Sequence, residues 1–402
     1  MSTLLSSTTT EAAFLADFRK YFLDPETGLV FTVIDRQTLL PATDALFADA
    51  EVDFTDRLDG FTPAECWMHE NCGMTTGAWL AYCALRGNRD EGSRAVDAIW
   101  RVYQAGKTVA PGYFPKYYGR RCSPETSTDQ VLYACVGMDA FHPLASASDR
   151  AKIEEMIPAM VAFWLERDYR HHYFGFHPDN WQWPIKRFPP LLRLASRYSD
   201  DPRFKSEYER LVKHTRRSEN CWLWDKTHQE YAPTPYEQKQ HAFLNVHASD
   251  RLGMDSINLD LLLRLDPENP LADDWREDLE ILWNEADGIY TLDGRYWTAY
   301  LYDFDTHAPR IPEAECPAPV CPAGLGTMVA RAGLLILKHR PELASQVLPV
   351  VDGLLKQSFR ECSYFDEPQR FPPGKRYKMR FLSGDAAANW LWATALRSQL
   401  PL

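Results

Sequence analysis

Apolar residues recur along this chain at helical spacing and almost nowhere in strict alternation, which marks an all-α protein. Phe14, Leu15, Phe18, Tyr21 and Phe22 form one stripe, and Ile153, Met156, Ile157, Met160, Val161 and Trp164 form another. The spacing predicts paired helices near 67–85 and 90–104, 127–141 and 149–166, 189–198 and 202–217, 240–265 and 272–286, and 323–339 and 341–357. A short Gly, Asp or Pro turn joins each pair. Helices near 11–22 and 383–399 lack such a partner, and a closed ring would pair them with each other. The run from Asp24 to Glu65 carries the weakest pattern.

Between the pairs lie long connections rich in aromatic residues and proline. Short and long connections alternating around twelve helices are what six helical hairpins in a circle produce, so the expected fold is an all-α (α/α)6 toroid. The expected domain organisation is one domain over residues 1–402, with 1–10 as a disordered tail. Helices entered from a long connection begin near Trp67, Ser127, Pro189, Gln240, Ala323 and Ser383, and these form the inner ring. Their N-termini then gather with the long connections at one end, around a funnel. Unpaired N–H groups and partial positive charge at those ends favour an anionic ligand such as a uronate carboxylate.

Composition narrows the partners. The 44 basic and 56 acidic residues leave a net charge of −12, which argues against nucleic acid because phosphate binding needs clustered Lys and Arg. Residues 1–10 show no basic region followed by an apolar stretch, and no run approaches the roughly 18 apolar residues of a membrane helix. Nine scattered cysteines suit a reducing cytoplasm better than a disulfide framework. Cys316 and Cys321 are the closest pair and lack a second pair or a His at zinc spacing. No cofactor or metal is expected, although a Ca2+ held by scattered carboxylates would leave no spacing to read. The sequence leaves a homo-oligomer open.

Candidate chemistry sits where the inner helices begin. In SPETSTDQVLYACVGMDAF, Ser123, Glu125, Thr128 and Asp129 open the second inner helix, and Glu125 and Asp129 share a face if that helix starts early enough. Ser or Thr followed by an acid is also an ordinary helix cap. In CWMHENCGMTTGAWLAYCAL, His69, Glu70 and Asn71 precede a small-residue run, Gly73 to Ala78, that lets an inner helix pack closely. The densest stretch, FGFHPDNWQWPIKRFPP, brings His177, Asp179, Asn180, Trp181, Trp183, Lys186 and Arg187 into one connection. There a Trp can stack on a sugar ring and an Arg can grip a carboxylate in a fork. A rigid proline-rich loop would explain the same stretch without chemistry. A second rank comprises Tyr113, Lys116, Tyr117 and Tyr118, then His241, Asn245 and His247. It ends with Tyr300, Asp303, Asp305, His307 and Arg310, and with Lys378, Arg380 and Asp385.

With Thr76-Gly77-Ala78-Trp79 and Asp129-Gln130-Val131-Leu132-Tyr133, the chain resembles the six-hairpin glycosidase-like superfamily, here through architecture more than identity. Its unsaturated glucuronyl and rhamnogalacturonyl hydrolases carry similar segments, with a Met after the Tyr that is absent here. The resemblance implies that Asp129 acts as general acid and base on an acidic sugar; glucuronidase families of the same fold fit equally. The N-acylglucosamine 2-epimerase-like isomerases match in length, but their His-Pro-Gly-His stretch is missing. The leading expectation is therefore a glycoside hydrolase of acidic oligosaccharides using Asp129 with Glu70, Glu125 or Asp179 as partner. Asn180, Trp181, Trp183, Lys186, Arg187, His241, Tyr117 and Arg380 would hold the sugar. A lyase or isomerase with Tyr117, His177 or His241 as base is the alternative, and a non-catalytic glycan- or protein-binding toroid the third.

Overall fold

The computed structural model describes residues 10–49, 60–171, 181–182, 187–215, 248–284, 286, 289–292, 295–298, 302–303, 308–309, 324–356, 359–362 and 381–401. The helices are α1 (Glu11–Tyr21), α2 (Asp44–Asp49), α3 (Pro63–Met68), α4 (Cys72–Arg86), α5 (Arg89–Lys107), α6 (Thr128–Phe141) and α7 (Ala147–Leu165). They continue as α8 (Phe188–Tyr198), α9 (Pro202–Leu211), α10 (Ala248–Leu265), α11 (Ala272–Asn284), α12 (Gly324–His339), α13 (Ala344–Leu354) and α14 (Gly384–Gln399). Leaving aside the short α2 and α3, these are the helices the apolar spacing predicts.

Burial separates two layers. In α4 every residue from Cys72 to Cys83 is buried, and α6 and α14 are buried almost all round, because these helices lie between the axis and an outer layer. In α5 a single stripe is buried, Gly92, Ala95, Val96, Ala98, Ile99, Val102, Tyr103 and Gly106, so its other face meets solvent. Helices α4, α6, α8, α10, α12 and α14 form the inner ring and the helix paired with each forms the outer one. The pairing of α1 with α14 closes the ring: Phe14 stacks on Trp390 at 4.0 Å, and Glu11 accepts from Tyr82 of α4 at 2.9 Å. The fold is the all-α (α/α)6 toroid. Among the described residues, no helix is long and apolar enough to cross a membrane.

Local chemistry sets the hairpin turns. Helix α4 ends at Gly87, which takes the left-handed conformation at φ 65°, and Asn88 at once caps α5 by accepting from the Glu91 amide at 3.3 Å. Ser146 caps α7 in the same way at Asp149.

The closest approach in the inner ring is at Gly77 of α4 and Gly137 of α6. A Cβ on Gly77 would lie 2.3 Å from the Tyr133 carbonyl oxygen, and one on Gly137 would lie 2.3 Å from that of Gly77. The small-residue run thus lets two backbones touch, as its composition suggests.

Two differences from the pattern are physical. The expected helix from Trp67 is two helices, α3 and α4, broken at His69–Asn71, because those residues turn to bond the segment before them. Short antiparallel strand pairs occur among the described residues; one joins Val33–Asp35, inside the weakly patterned run, to Phe381–Ser383 at the start of α14. The inner helix expected from Gln240 is described from Ala248 onward, and residues 1–9 of the expected tail lie outside the described residues.

Candidate active site

The starts of α14, α4 and α6, neighbours in the inner ring, and the chain just before α4 and α6 bring Asp385, Glu70, Asp129 and Glu125 around one buried ammonium. Thr32 pins two of these starts: its amide donates to Met68 O at 2.9 Å, its Oγ1 accepts from the Asn71 amide at 2.9 Å, and its carbonyl accepts from Gly384 N at 2.8 Å. Asn71, at the N-cap of α4, donates from Nδ2 to Asp385 Oδ2 at 3.2 Å. Asp385 and Asp129 both sit in the first turn of their helices, where the helix dipole favours a carboxylate.

Lys116 is the centre of the set. Its side chain is 1% exposed and its Nζ forms an ion pair with Glu70 Oε1. The backbone is fixed from both sides: Lys116 N donates to Glu125 O at 2.6 Å, and Ser123 N donates to Lys116 O. Burial lowers the affinity of this ammonium for its proton, against the opposing pull of Asp129, Glu125 and Asp385; the net direction is below the usual lysine value.

Asp129 does not behave as a cap residue. Ser127 occupies the N-cap position without a side-chain cap bond. Asp129 Oδ1 is buried and has no hydrogen-bond partner among the described residues, an arrangement that costs roughly 1–3 kcal/mol unless a ligand supplies one. The residue as a whole is half-buried, so a ligand can reach it. Glu125 lies before α6, which starts at Thr128, so the helical i,i+4 pairing with Asp129 does not form. Both acids nonetheless act on Lys116.

Other expected residues take distinct places. Arg187, at the N-cap of α8, donates from Nη1 to Thr128 Oγ1 at 3.1 Å and so flanks Asp129. Tyr117 is buried, and burial raises its hydroxyl above the usual tyrosine value, which keeps it protonated. His69 is a structural group: it is fully buried, stacks on Phe31 at 5.3 Å and lies 3.4 Å from Asp24. Burial pushes its imidazole toward the neutral form despite Asp24. Burial would raise the Asp24 carboxyl, but bonds from His69, Arg120, the Glu26 amide and Thr27 outweigh it and hold that group well below the usual carboxylate range. This cluster anchors the break that presents Glu70.

His177, Asp179, Asn180, Trp183, Lys186, His241 and Arg380 lie outside the described residues, as do Asn245, His247, Tyr300, Asp305, His307, Arg310 and Lys378. Trp181 is placed only by its backbone, in a two-residue strand against Arg170–His171.

Arg331, Asn389 and Thr32 escape sequence reasoning. Arg331 of α12 is fully buried and donates to Tyr133 Oη of α6, to Asn389 Oδ1 of α14 at 2.5 Å and to the Gly253 carbonyl of α10. It ties four inner helices together near the axis, with Trp392 at 4.9 Å from its guanidinium. Its signal was a lone charge in the apolar run Gly324–Leu337. At the opposite end of the ring a second polar set closes the toroid. Asp139 accepts from Tyr198 at 2.7 Å and pairs with Arg197 and Arg264, while Asp260 pairs with Lys338 and His339.

No protein-family model matches the sequence, and no curated protein matches it. Two solved structures are similar over nearly their whole length. One is described as a novel alpha-amylase from Clostridium perfringens, 10% identical with a TM-score of 0.53, covering 98% of this chain and 99% of that one. The other is a D-mannose isomerase, 11% identical with a TM-score of 0.53, covering 99% of this chain and 97% of that one. At such identities the likeness establishes the fold.

Proposed function

We propose that the protein is a glycoside hydrolase working by carboxylate acid–base catalysis at the mouth formed by α14, α4 and α6. The observation that carries this reading is Asp129. It is a helix-start carboxylate with one buried oxygen lacking a hydrogen-bond partner among the described residues, set beside Glu70, Glu125 and Asp385 around a buried ammonium. Glycosidic cleavage needs two carboxyl groups, one to protonate the leaving oxygen and one to act on the anomeric carbon or on water. Asp129 is the proton donor, and Glu70 or Glu125 is its partner. Both structural neighbours are described as sugar-active enzymes, which supports a carbohydrate substrate.

An acidic oligosaccharide is the preferred substrate class, with Arg187 beside Thr128 as the guanidinium that meets a uronate carboxylate. The lyase and isomerase readings need a His or Tyr base. Among the described candidates, His69 is tied to Asp24, and burial holds the Tyr117 hydroxyl protonated, so carboxylate chemistry is favoured.

The test is product release by the full chain from uronic-acid oligosaccharides, aryl glucuronides and neutral aryl glycosides, beside Asp129→Asn. Turnover by the wild type, reduced on the order of 10²–10⁴-fold in the variant, is the expected result. Equal activity of the two proteins would overturn the role of Asp129. A lack of turnover on all three classes would overturn the hydrolase.

A further inference from the structure

We propose that Asp24 and Arg120 form a lock that positions the mouth from outside it, fixing through one buried carboxylate both segments that supply Glu70, Lys116 and Glu125. The inference rests on the hydrolase reading and deepens it by adding two positioning residues.

Lys116 and Glu125 stand at the base of a single loop. Lys116 N donates to Glu125 O at 2.6 Å and Ser123 N donates to Lys116 O at 3.3 Å, so the two ends are clamped together. The far end of that loop turns through Gly119 and Arg120, both left-handed, at φ 54° and φ 61°. Glycine takes that conformation freely, whereas an arginine holds it only where its surroundings enforce it. The enforcing contact is a fork: Arg120 Nη2 donates to Asp24 Oδ1 at 3.0 Å and Nε donates to Oδ2 at 3.1 Å, while Nη1 pairs with Glu26. A bidentate guanidinium–carboxylate pair fixes direction as well as distance. The neighbouring Arg121 pairs with Glu65 at 3.0 Å, but those side chains are 52% and 33% exposed and water screens them. The Asp24 side chain is 0% exposed, so its pair is the firmer hold.

The same carboxylate reaches the other segment. Asp24 Oδ2 lies 3.4 Å from His69 Nε2, and His69 is the residue before Glu70 in the break between α3 and α4. Asp24 cannot shift to follow either partner. Its Oδ1 accepts from Glu26 N at 3.0 Å and its Oδ2 from Thr27 Oγ1 at 2.7 Å, while its backbone bonds Leu29 O and Gly28 N, both at 2.8 Å. Val30 N then donates to Thr76 Oγ1 at 3.1 Å, which anchors this segment on α4. The Glu70–Lys116 ion pair therefore joins two segments that Asp24 already holds in register. Loss of the fork releases a strained turn, and Lys116 and Glu125 move relative to Glu70.

Hydrogen exchange of the full chain, read by mass spectrometry, tests the lock without a substrate. In Arg120→Met, exchange over residues 113–125 should accelerate by about tenfold or more, because amide protection reports local opening, while α9 and α11 keep their rates. In Asp24→Asn the acceleration should appear over 113–125 and also over 66–72. The Arg120 side chain is 37% exposed and can be replaced without opening the core. Unchanged exchange over 113–125 in Arg120→Met therefore overturns the proposal even if Asp24→Asn fails to fold. Equal acceleration in α9 and α11 overturns it too, since the pair would then serve global stability alone, and so does an unmoved 66–72 in a folded Asp24→Asn. With a glycoside that the wild type turns over, kcat of Arg120→Met should fall on the order of 10–10²-fold with KM within about threefold, the mark of displaced reacting groups rather than lost binding. An unchanged kcat overturns the positioning role. Absent turnover by the wild type would sink the hydrolase reading separately, with the exchange result still deciding the lock.

Discussion

The Gly77 contact between α4 and α6 allows a quantitative test of how the inner ring holds the mouth together. In Gly77→Ala the new Cβ would lie 2.3 Å from the Tyr133 carbonyl oxygen, 2.4 Å from its carbon and 2.7 Å from Ala134 N. Ordinary contact begins near 3.4 Å, so the helices must part locally by 3.4 − 2.3 = 1.1 Å. The obstructing atoms are backbone and cannot rotate away. Overpacking of a close-packed interior costs about 1–3 kcal/mol, and the backbone obstacle places this case at the upper end. Alanine gains about 1 kcal/mol of helix propensity over glycine, so the net loss should be about 2 kcal/mol. The assay is a urea unfolding curve followed by far-ultraviolet circular dichroism. The same displacement moves Asp129 on α6 relative to Glu70 before α4, so activity should fall more than binding. A variant with an unchanged or higher urea midpoint would refute the claim that the two backbones touch.

Other outcomes follow from the same geometry. Arg331→Met removes the donor for Tyr133, Asn389 and the Gly253 carbonyl at once, and about 3–5 kcal/mol of stability should go with it in urea; a loss below about 1 kcal/mol would show that the guanidinium is not the axial tie. Acidification should weaken the fold in two steps. His69 is held neutral when folded but protonates near pH 6.5 when unfolded, so the unfolded chain binds more protons and stability falls as pH drops through about 6.5. Asp24 is held low when folded, so its contribution is present above its unfolded value near 3.9 and is lost as pH falls below that. Urea midpoints measured from pH 7 to pH 3 check both, and His69→Asn should abolish the upper step.

The sequence by itself determined the layers of this protein. Helical spacing is a local property, and the alternation of short and long connections was enough to divide the helices into an inner and an outer ring. Asp129 and Glu70 could be singled out because they open such helices. Residue type and neighbours in the chain carry that much.

Tertiary structure decided which groups meet. The Glu70–Lys116 pair spans 46 residues, Arg120 reaches Asp24 across 96, and Arg331 reaches Tyr133 across 198. Periodicity is silent on such distances, because the energy that selects them comes from close packing of helices and from burying charge only where it is paired. For the same reason the break at His69–Asn71 was invisible. The helical pattern runs through it, and only the bond to Thr32 and the buried Asp24 cluster make turning more favourable than continuing the helix.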